Sequence, residues 1–234
     1  QRCPQQPGGE EGLGGRAGYW PRGKVLGGSS AINAMVFVRG QPGDFDAWAA
    51  AGNPGWDWAG VLPYFRRLED SERPPDAWRA RGGPLHVADV SADLHPLCES
   101  FLRAGAELGL PRTDDFNGGD QEGAGYYQLT AWKGWRCSTA TAYLKPARAR
   151  SNLHIETEAQ ASGIVIESGR AVGVRYRQGG QTKTARARAE VLLAAGAIQS
   201  PQLLQLSGIG PAALLQKFGI PVVHDVPGVG ENLQ

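Results

Sequence analysis

The sequence predicts an α/β fold, with mixed α+β character, in which helices lie on a sheet core. Three observations predict it. Glycine (34) and proline (16) make up about a fifth of the 234 residues, too many helix breakers for a helical bundle or a coiled coil. Between residues 153 and 188, short alternating or β-branched runs are separated by glycine-bearing turns, the pattern of a small meander. The apolar run 191–195 then leads through Gly196 into a segment with helix start and stop signals, a strand–turn–helix order found in layered sheet proteins.

Each element has a local reason. Residues 1–24 are rich in Gly and Pro without periodicity and read as loop. Residues 25–38 pass from an apolar stub through Gly27 and Gly28 into small residues, where Ser29 or Ser30 suits a helix cap. Residues 44–70 read as short helices, with Asp44 as an N-cap and Val61, Leu62, Phe65 and Leu68 at helical spacing. Residues 72–96 read as loop and short strand. Pro96 opens a helix whose apolar face is Leu97, Phe101, Leu102 and residues 104–108, and Gly109 stops it. Runs 153–158, 163–167, 171–176 and 182–188 are expected strands, with hairpin turns at Ser168-Gly169 and Gly179-Gly180. Residues 191–195 are expected to be a buried strand. Ser200 is the expected N-cap of the next helix, with Pro201 in its first position, Leu203, Leu204 and Leu206 on its buried face, and Gly208 at its stop. A last short helix covers 212–218 and ends at Gly219.

Composition excludes several classes. With 41% hydrophobic and 20% charged residues the chain is not disordered throughout. A net charge of +1 gives no strong field for nucleic acid or an anionic membrane. The longest apolar run, 191–198, is far short of the roughly 20 residues of a transmembrane helix, and no secretory signal is visible. A cytoplasmic location is expected, with membrane association of a longer protein left open. Cys3, Cys98 and Cys137 have no metal-ligand spacing and read as free thiols of a reducing compartment. No metal site is expected, and no carboxylate pair presents itself as acid and base. Two loose GxGxxG matches, at residues 12–17 and 208–213, are rejected: the first follows a loop rather than a strand, and the second trails a helix. The chain begins at Gln1 and its only methionine is Met35, so it is expected to be an internal fragment.

Two segments carry chemistry. In the first, Gly23-Lys24-Val25-Leu26-Gly27-Gly28-Ser29-Ser30-Ala31-Ile32-Asn33-Ala34-Met35, adjacent glycines permit close approach by a backbone or ligand. Hydroxyls and N–H groups there suit an anion such as a diphosphate, and Asn33 offers a donor and an acceptor. The second, from Gly196-Ala197-Ile198-Gln199-Ser200-Pro201 to Gly208-Ile209-Gly210, is a strand turning sharply into a helix. Either alone also fits a structural turn. In this order, about 165 residues apart, they resemble the two signature segments of the glucose–methanol–choline (GMC) oxidoreductase family, closest to its choline dehydrogenase-like members. Residues 33–40, 44–48, Gly55-Trp56, 115–118, 123–128, 137–144 and 219–234 agree, so the resemblance runs from about residue 18 to the end.

The resemblance implies an FAD-binding α/β domain with a separate substrate domain, and oxidation of the CH–OH group of an alcohol by hydride transfer to flavin N5. It implies that Val25, Gly28, Ser29, Asn33, Ala34, Met35 and Val36 line the flavin and its diphosphate. It also implies that Ala161, where the family usually has Val, meets the adenine through its backbone. Tyr126, Tyr127 and Gln128 match a stretch on the substrate side. The family's flavin-linking histidine would fall at Ile32, so non-covalent FAD is expected. The family's opening GxGxxG strand–helix unit and its catalytic-histidine region are absent, so no residue of this chain is expected to be the base. The implied division is 1–46 for a flavin-binding segment, 47–150 for an irregular helical part on the substrate side, and 151–234 for the flavin-domain meander and second signature. The expected small-molecule partner is an alcohol, with the electron acceptor unidentified. The alternatives are an FAD-containing lyase on the same scaffold and a decayed, non-catalytic fragment.

Overall fold

The computed structural model describes residues 14–16, 18 and 20–233. Cys3, most of the Gly/Pro-rich approach and Gly12, Leu13 and Ala17 of the first GxGxxG match lie outside the described residues. The chain divides into two compact units, Gln1–Leu153 and His154–Gln234. Helix and strand are mixed throughout both, as the sequence predicts.

In the first unit a 3-10 turn, Gly28–Ala31, precedes β1 (Val36–Phe37), α1 (Pro42–Ala50), α2 (Trp58–Leu68), β2 (Glu69–Ser71) and β3 (Leu85–Val87). Then follow α3 (Leu97–Glu107), β4 (Gln128–Leu129), β5 (Ala131–Trp132), β6 (Trp135–Arg136), a π-helical turn Ala140–Leu144, and α4 (Lys145–Ala147). The strands pair two by two: β1 with β4 and β5 with β6 antiparallel, β2 with β3 parallel. Phe45 is buried in an aromatic cluster with Trp48, Trp58 and Phe65, the ring centroids 5.3 to 5.5 Å away.

Several local expectations change here. Asp44 is not the N-cap of α1. It is the third helical residue, and its carboxylate accepts from the Gln41 N–H at 2.8 Å, closing a capping box with Gln41 at the cap. Asp57 caps α2 instead, accepting from the Gly60 N–H at 2.7 Å. Neither Ser29 nor Ser30 caps a helix: Gly27 holds that position, and the Ser30 hydroxyl donates to the Gly27 carbonyl. α3 forms where expected, but Leu97, Phe101 and Leu108 are 70, 77 and 85% exposed, and only Leu102 of the expected face is buried.

The second unit centres on a three-stranded antiparallel sheet in the order β7 (Gln160–Glu167), β8 (Arg170–Gln178), β9 (Gln181–Arg186). Both hairpins turn on residue pairs with positive φ, Ser168-Gly169 (50° and 77°) and Gly179-Gly180 (56° and 78°), the conformation that matches strand twist in two-residue loops. After the sheet come α5 (Gly196–Leu206), β10 (Ile209–Gly210), α6 (Ala212–Lys217) and β11 (His224–Asp225), which pairs parallel to β10. The Ser207 hydroxyl, buried at the end of α5, accepts from the Ile164 N–H of β7 at 2.7 Å and donates to the Leu203 carbonyl.

Three expectations fail in this unit. Residues 153–158 form no strand: among the described residues no strand pairs with them, and Glu158, at φ +54°, ends the extended run. Residues 191–195 form none either: among the described residues no strand pairs with them, and Leu192 is 82% exposed. A strand without a partner leaves its backbone groups to solvent. α5 starts at Gly196, ahead of the expected Ser200 cap, and encloses Pro201. Ser200 still serves the helix start, accepting from the Ala195 N–H at 3.1 Å.

Candidate flavin site

The first signature folds as a tight loop held from both sides. Gly28 N–H donates to the Val25 carbonyl at 2.9 Å, and the N–H groups of Ile32 and Asn33 both donate to the Ser29 carbonyl, at 3.1 and 2.9 Å. A Cβ at Gly23 would run into the Gly28 carbonyl, and one at Gly27 would meet Ala140 at 3.1 Å. Backbones therefore pass here at distances only glycine allows. A Cβ at Gly28, in contrast, would enter open space, although its φ of +53° also favours glycine.

The other side of the clamp comes from residues roughly a hundred positions later. Thr139 donates twice: its N–H to the Ser30 hydroxyl at 3.0 Å, and its hydroxyl to the Gly27 carbonyl at 3.2 Å. Arg136 Nη1 donates to the Ser30 carbonyl at 3.2 Å and to Asn33 Oδ1 at 2.7 Å. Met35, in a left-handed conformation at φ +63°, donates its N–H to the same Asn33 Oδ1 at 3.1 Å. Its carbonyl accepts from the Thr130 N–H at 2.8 Å and the Thr130 hydroxyl at 3.2 Å. A non-glycine residue at positive φ costs of the order of 1–3 kcal/mol, and these bonds on either side of Met35 hold it there.

The sequence-predicted residues fall in two places. Val25, Gly28, Ser29, Asn33, Ala34, Met35 and Val36 lie on this one continuous segment, and Val36 opens β1. Val25, Leu26, Ile32, Val36 and Val38 are all exposed. So many uncovered apolar side chains on one short segment mark a surface for a ligand or partner. The eighth residue, Ala161, belongs to the second unit. It is half-buried in β7, an edge strand of its sheet, just before a register irregularity at Ser162. Tyr126 and Tyr127 behave differently from each other. The Tyr126 hydroxyl donates to Glu99 at 2.7 Å, and Arg112 holds the same carboxylate through both of its terminal nitrogens. The Arg112 bonds, with that of Tyr126, bring the Glu99 carboxyl down to about 2. Tyr127 is half-exposed and stacks on Phe116, centroids 4.7 Å apart.

The sequence reading misses Arg136, Thr139 and Thr130 as parts of this site. The signal for Arg136 was present: Lys133-Gly134 between Trp132 and Trp135 is a two-residue hairpin turn, with φ of 49° and 77°. That turn fixes the register that delivers Arg136 to the loop. Among the described residues no group of three or more His, Cys, Asp or Glu is placed to hold a metal ion, and no helix is long and apolar enough to cross a membrane. Cys98 and Cys137 are free thiols.

Comparison with known proteins places this geometry. The family model described as GMC oxidoreductase matches residues 6–234. The chain belongs to the GMC oxidoreductase family. Among GMC proteins and their relatives, the chain is 50% identical over 225 residues to human mitochondrial choline dehydrogenase, covering 96% of this chain and 38% of that one. It is 51% identical over 214 residues to the oxygen-dependent choline dehydrogenase of Sinorhizobium fredii, covering 92% and 39%. An FAD-dependent oxidoreductase from Chaetomium thermophilum superposes with a TM-score of 0.88 at 36% identity, covering 95% of this chain and 41% of that structure. The chain thus spans about two-fifths of the length of these GMC relatives.

Proposed function

We propose that the protein carrying this chain is an FAD-dependent oxidoreductase acting on the CH–OH group of an alcohol, with choline or a choline-like alcohol as substrate. The observation that carries the reading is the loop of residues 25–36. It is rigidly clamped, yet it leaves Val25, Ile32 and Val36 exposed beside an Asn33 amide. Such a surface fits the flat, partly apolar, partly polar body of a flavin nucleotide. The names of the relatives agree with this reading.

In this proposal Val25, Gly28, Ser29, Asn33, Ala34, Met35 and Val36 hold the flavin and its diphosphate, and Ala161 offers backbone to the adenine. Segments 1–46 and 151–234 then belong to the flavin side and 47–150 to the substrate side. FAD is held non-covalently, because Ile32 occupies the position of the family's linking histidine and has no nucleophilic atom. When bound, the flavin supplies the two-electron acceptor for the carbinol hydrogen of the alcohol. This chain's residues bind and orient: Gly27 and Gly28 allow close approach, Asn33 donates, and the exposed valines exclude water from the apolar ring. On the substrate side Tyr127 is the available aromatic, since the Tyr126 hydroxyl is engaged by Glu99. No residue of this chain is proposed as the base.

The test is a visible spectrum of the purified full-length protein, followed by acid precipitation. Yellow protein whose colour moves wholly to the supernatant, and whose flavin bleaches anaerobically on adding choline or another alcohol, is the expected outcome. Protein that stays colourless with added FAD would overturn the reading. Colour that stays with the pellet would overturn only the non-covalent part.

A further inference from the structure

We propose that Arg136 is a positioning residue of the flavin cradle, acting through Asn33: it fixes the Asn33 amide so that Nδ2 is the donor presented to the cofactor. The proposal rests on the reading of residues 25–36 as that cradle.

The argument begins with what the Asn33 side chain can do. An amide has an accepting oxygen and a donating nitrogen, and it turns over easily unless its partners forbid it. Here Oδ1 has two donors, the Arg136 guanidinium at 2.7 Å and the Met35 N–H at 3.1 Å. Turning the amide over would set two N–H donors against its own NH2 group. One orientation is therefore fixed, and in it Nδ2 has no partner among the described residues. With the Met35 bond alone the preference would rest on one neutral hydrogen bond. The charged bond from Arg136 is the stronger of the two, because ion-assisted hydrogen bonds are roughly twice as strong as neutral ones.

Arg136 is itself well placed to be rigid. It ends β6, opposite Ala131 in the ladder, and its Nη1 is shared between Asn33 and the Ser30 carbonyl. No carboxylate pairs with it among the described residues, so its positive charge is left to the loop. Orientation and charge then act in the same direction for an anionic nucleotide. They can be separated by substitution, since Lys keeps the charge but cannot reproduce the planar fork.

The experiment measures FAD affinity of the full-length apo-protein by quenching of flavin fluorescence, for wild type, R136M, R136K, N33A and the double variant N33A/R136M. R136M is expected to weaken FAD by about 10- to 100-fold, the range for loss of a hydrogen bond to a charged group. R136K is expected to recover only part of that loss. Because Arg136 acts in part through Asn33, the loss in the double variant is expected to fall short of the sum of the two single losses; independent contributions would add. Equal affinity of R136M and wild type, or strictly additive losses, would overturn the proposal. If R136M fails to fold, R136K decides it: wild-type affinity in R136K would overturn the orienting role. A wild-type protein that does not bind FAD at all would instead overturn the reading beneath it.

Discussion

His86 sits between two carboxylates and donates to both. Its Nδ1 lies 2.9 Å from Asp70, its cross-strand neighbour in the β2–β3 ladder, and its Nε2 lies 3.1 Å from Glu72. Both bonds need a proton on the ring nitrogen, so the arrangement favours imidazolium. Burial alone would lower the pKa. The hydrogen bonds to Asp70 and Glu72, with their charges, outweigh it and raise the pKa above the ordinary 6.5. Asp70 moves the other way, held below its usual range first by the Gly82 N–H and then by His86. The sign for stability follows from linkage. His86 contributes in full below its unfolded value near 6.5, and the contribution is lost as pH rises through the raised folded value. The unfolding midpoint of the protein is therefore expected to fall as pH climbs from 6.5, and H86N is expected to remove that part of the slope. An imidazole seen by NMR to titrate below 6.5, or an unchanged slope in H86N, would refute it. The loop at residues 25–36 makes the same point about single residues. Asn33 is legible as a candidate from its motif, but its orientation depends on Arg136, 103 positions away: the Lys133-Gly134 turn before Arg136 is legible locally, whereas its meeting with this loop is not.

At the scale of elements, one arginine ties two strands to two loops. Arg39 follows β1 and is fully buried with Glu69, the first residue of β2, to which it is ion-paired. It also donates to the Trp78 carbonyl, and its backbone N–H donates to Asn117 Oδ1 at 2.8 Å. Asn117 Nδ2 returns a bond to the Phe37 carbonyl of β1 at 3.0 Å. Burial is the largest influence on both ions and pushes them toward neutrality, Arg39 down and Glu69 up, while each partner pulls the other back. Such a pair adds little over a well-packed apolar substitute, but losing one member strands the other. R39M or E69L alone is expected to cost about 3–5 kcal/mol in denaturant unfolding, and R39M/E69L to recover a large part of it. Single variants costing under about 1 kcal/mol, the worth of an exposed pair, would show that water reaches the site. This pair is invisible in the sequence, where Arg39 and Glu69 stand thirty residues apart without a pattern. The helices and hairpins are visible there because their causes are local: Pro96 before α3, the glycine pairs in the β7–β8–β9 turns, Gly208 and Gly219 after α5 and α6. Caps are less visible, since Asp44 and Ser200 serve their helices from the third and fifth helical positions rather than at the cap position.

For the whole molecule the same division holds between what is local and what is not. Periodicity marks an apolar face, but it does not say what covers that face. Residues 191–195 have the composition of a buried strand, yet a strand is made by its neighbours, and none pairs with them among the described residues. α3 has a stripe at Leu97, Phe101, Ala104 and Leu108, one side of a helix at spacings of four, three and four. That whole stripe is exposed, while Leu102 on another side is buried. In the second unit Leu192 and Phe218 are exposed too. Scattered apolar residues at a surface are ordinary, but a contiguous stripe of long side chains is not. The 234-residue chain expressed by itself is therefore expected to bind a hydrophobic dye such as ANS and to self-associate. The variant L97E/F101E/L108E is expected to reduce both markedly while leaving the circular dichroism of the helices unchanged, because none of the three side chains is packed. Dye fluorescence at the background level of a compact monomer would mean that α3 buries this stripe within the chain. Loss of helical signal in the variant would mean the same by a second route, since charge is tolerated on a solvated face and not on a packed one.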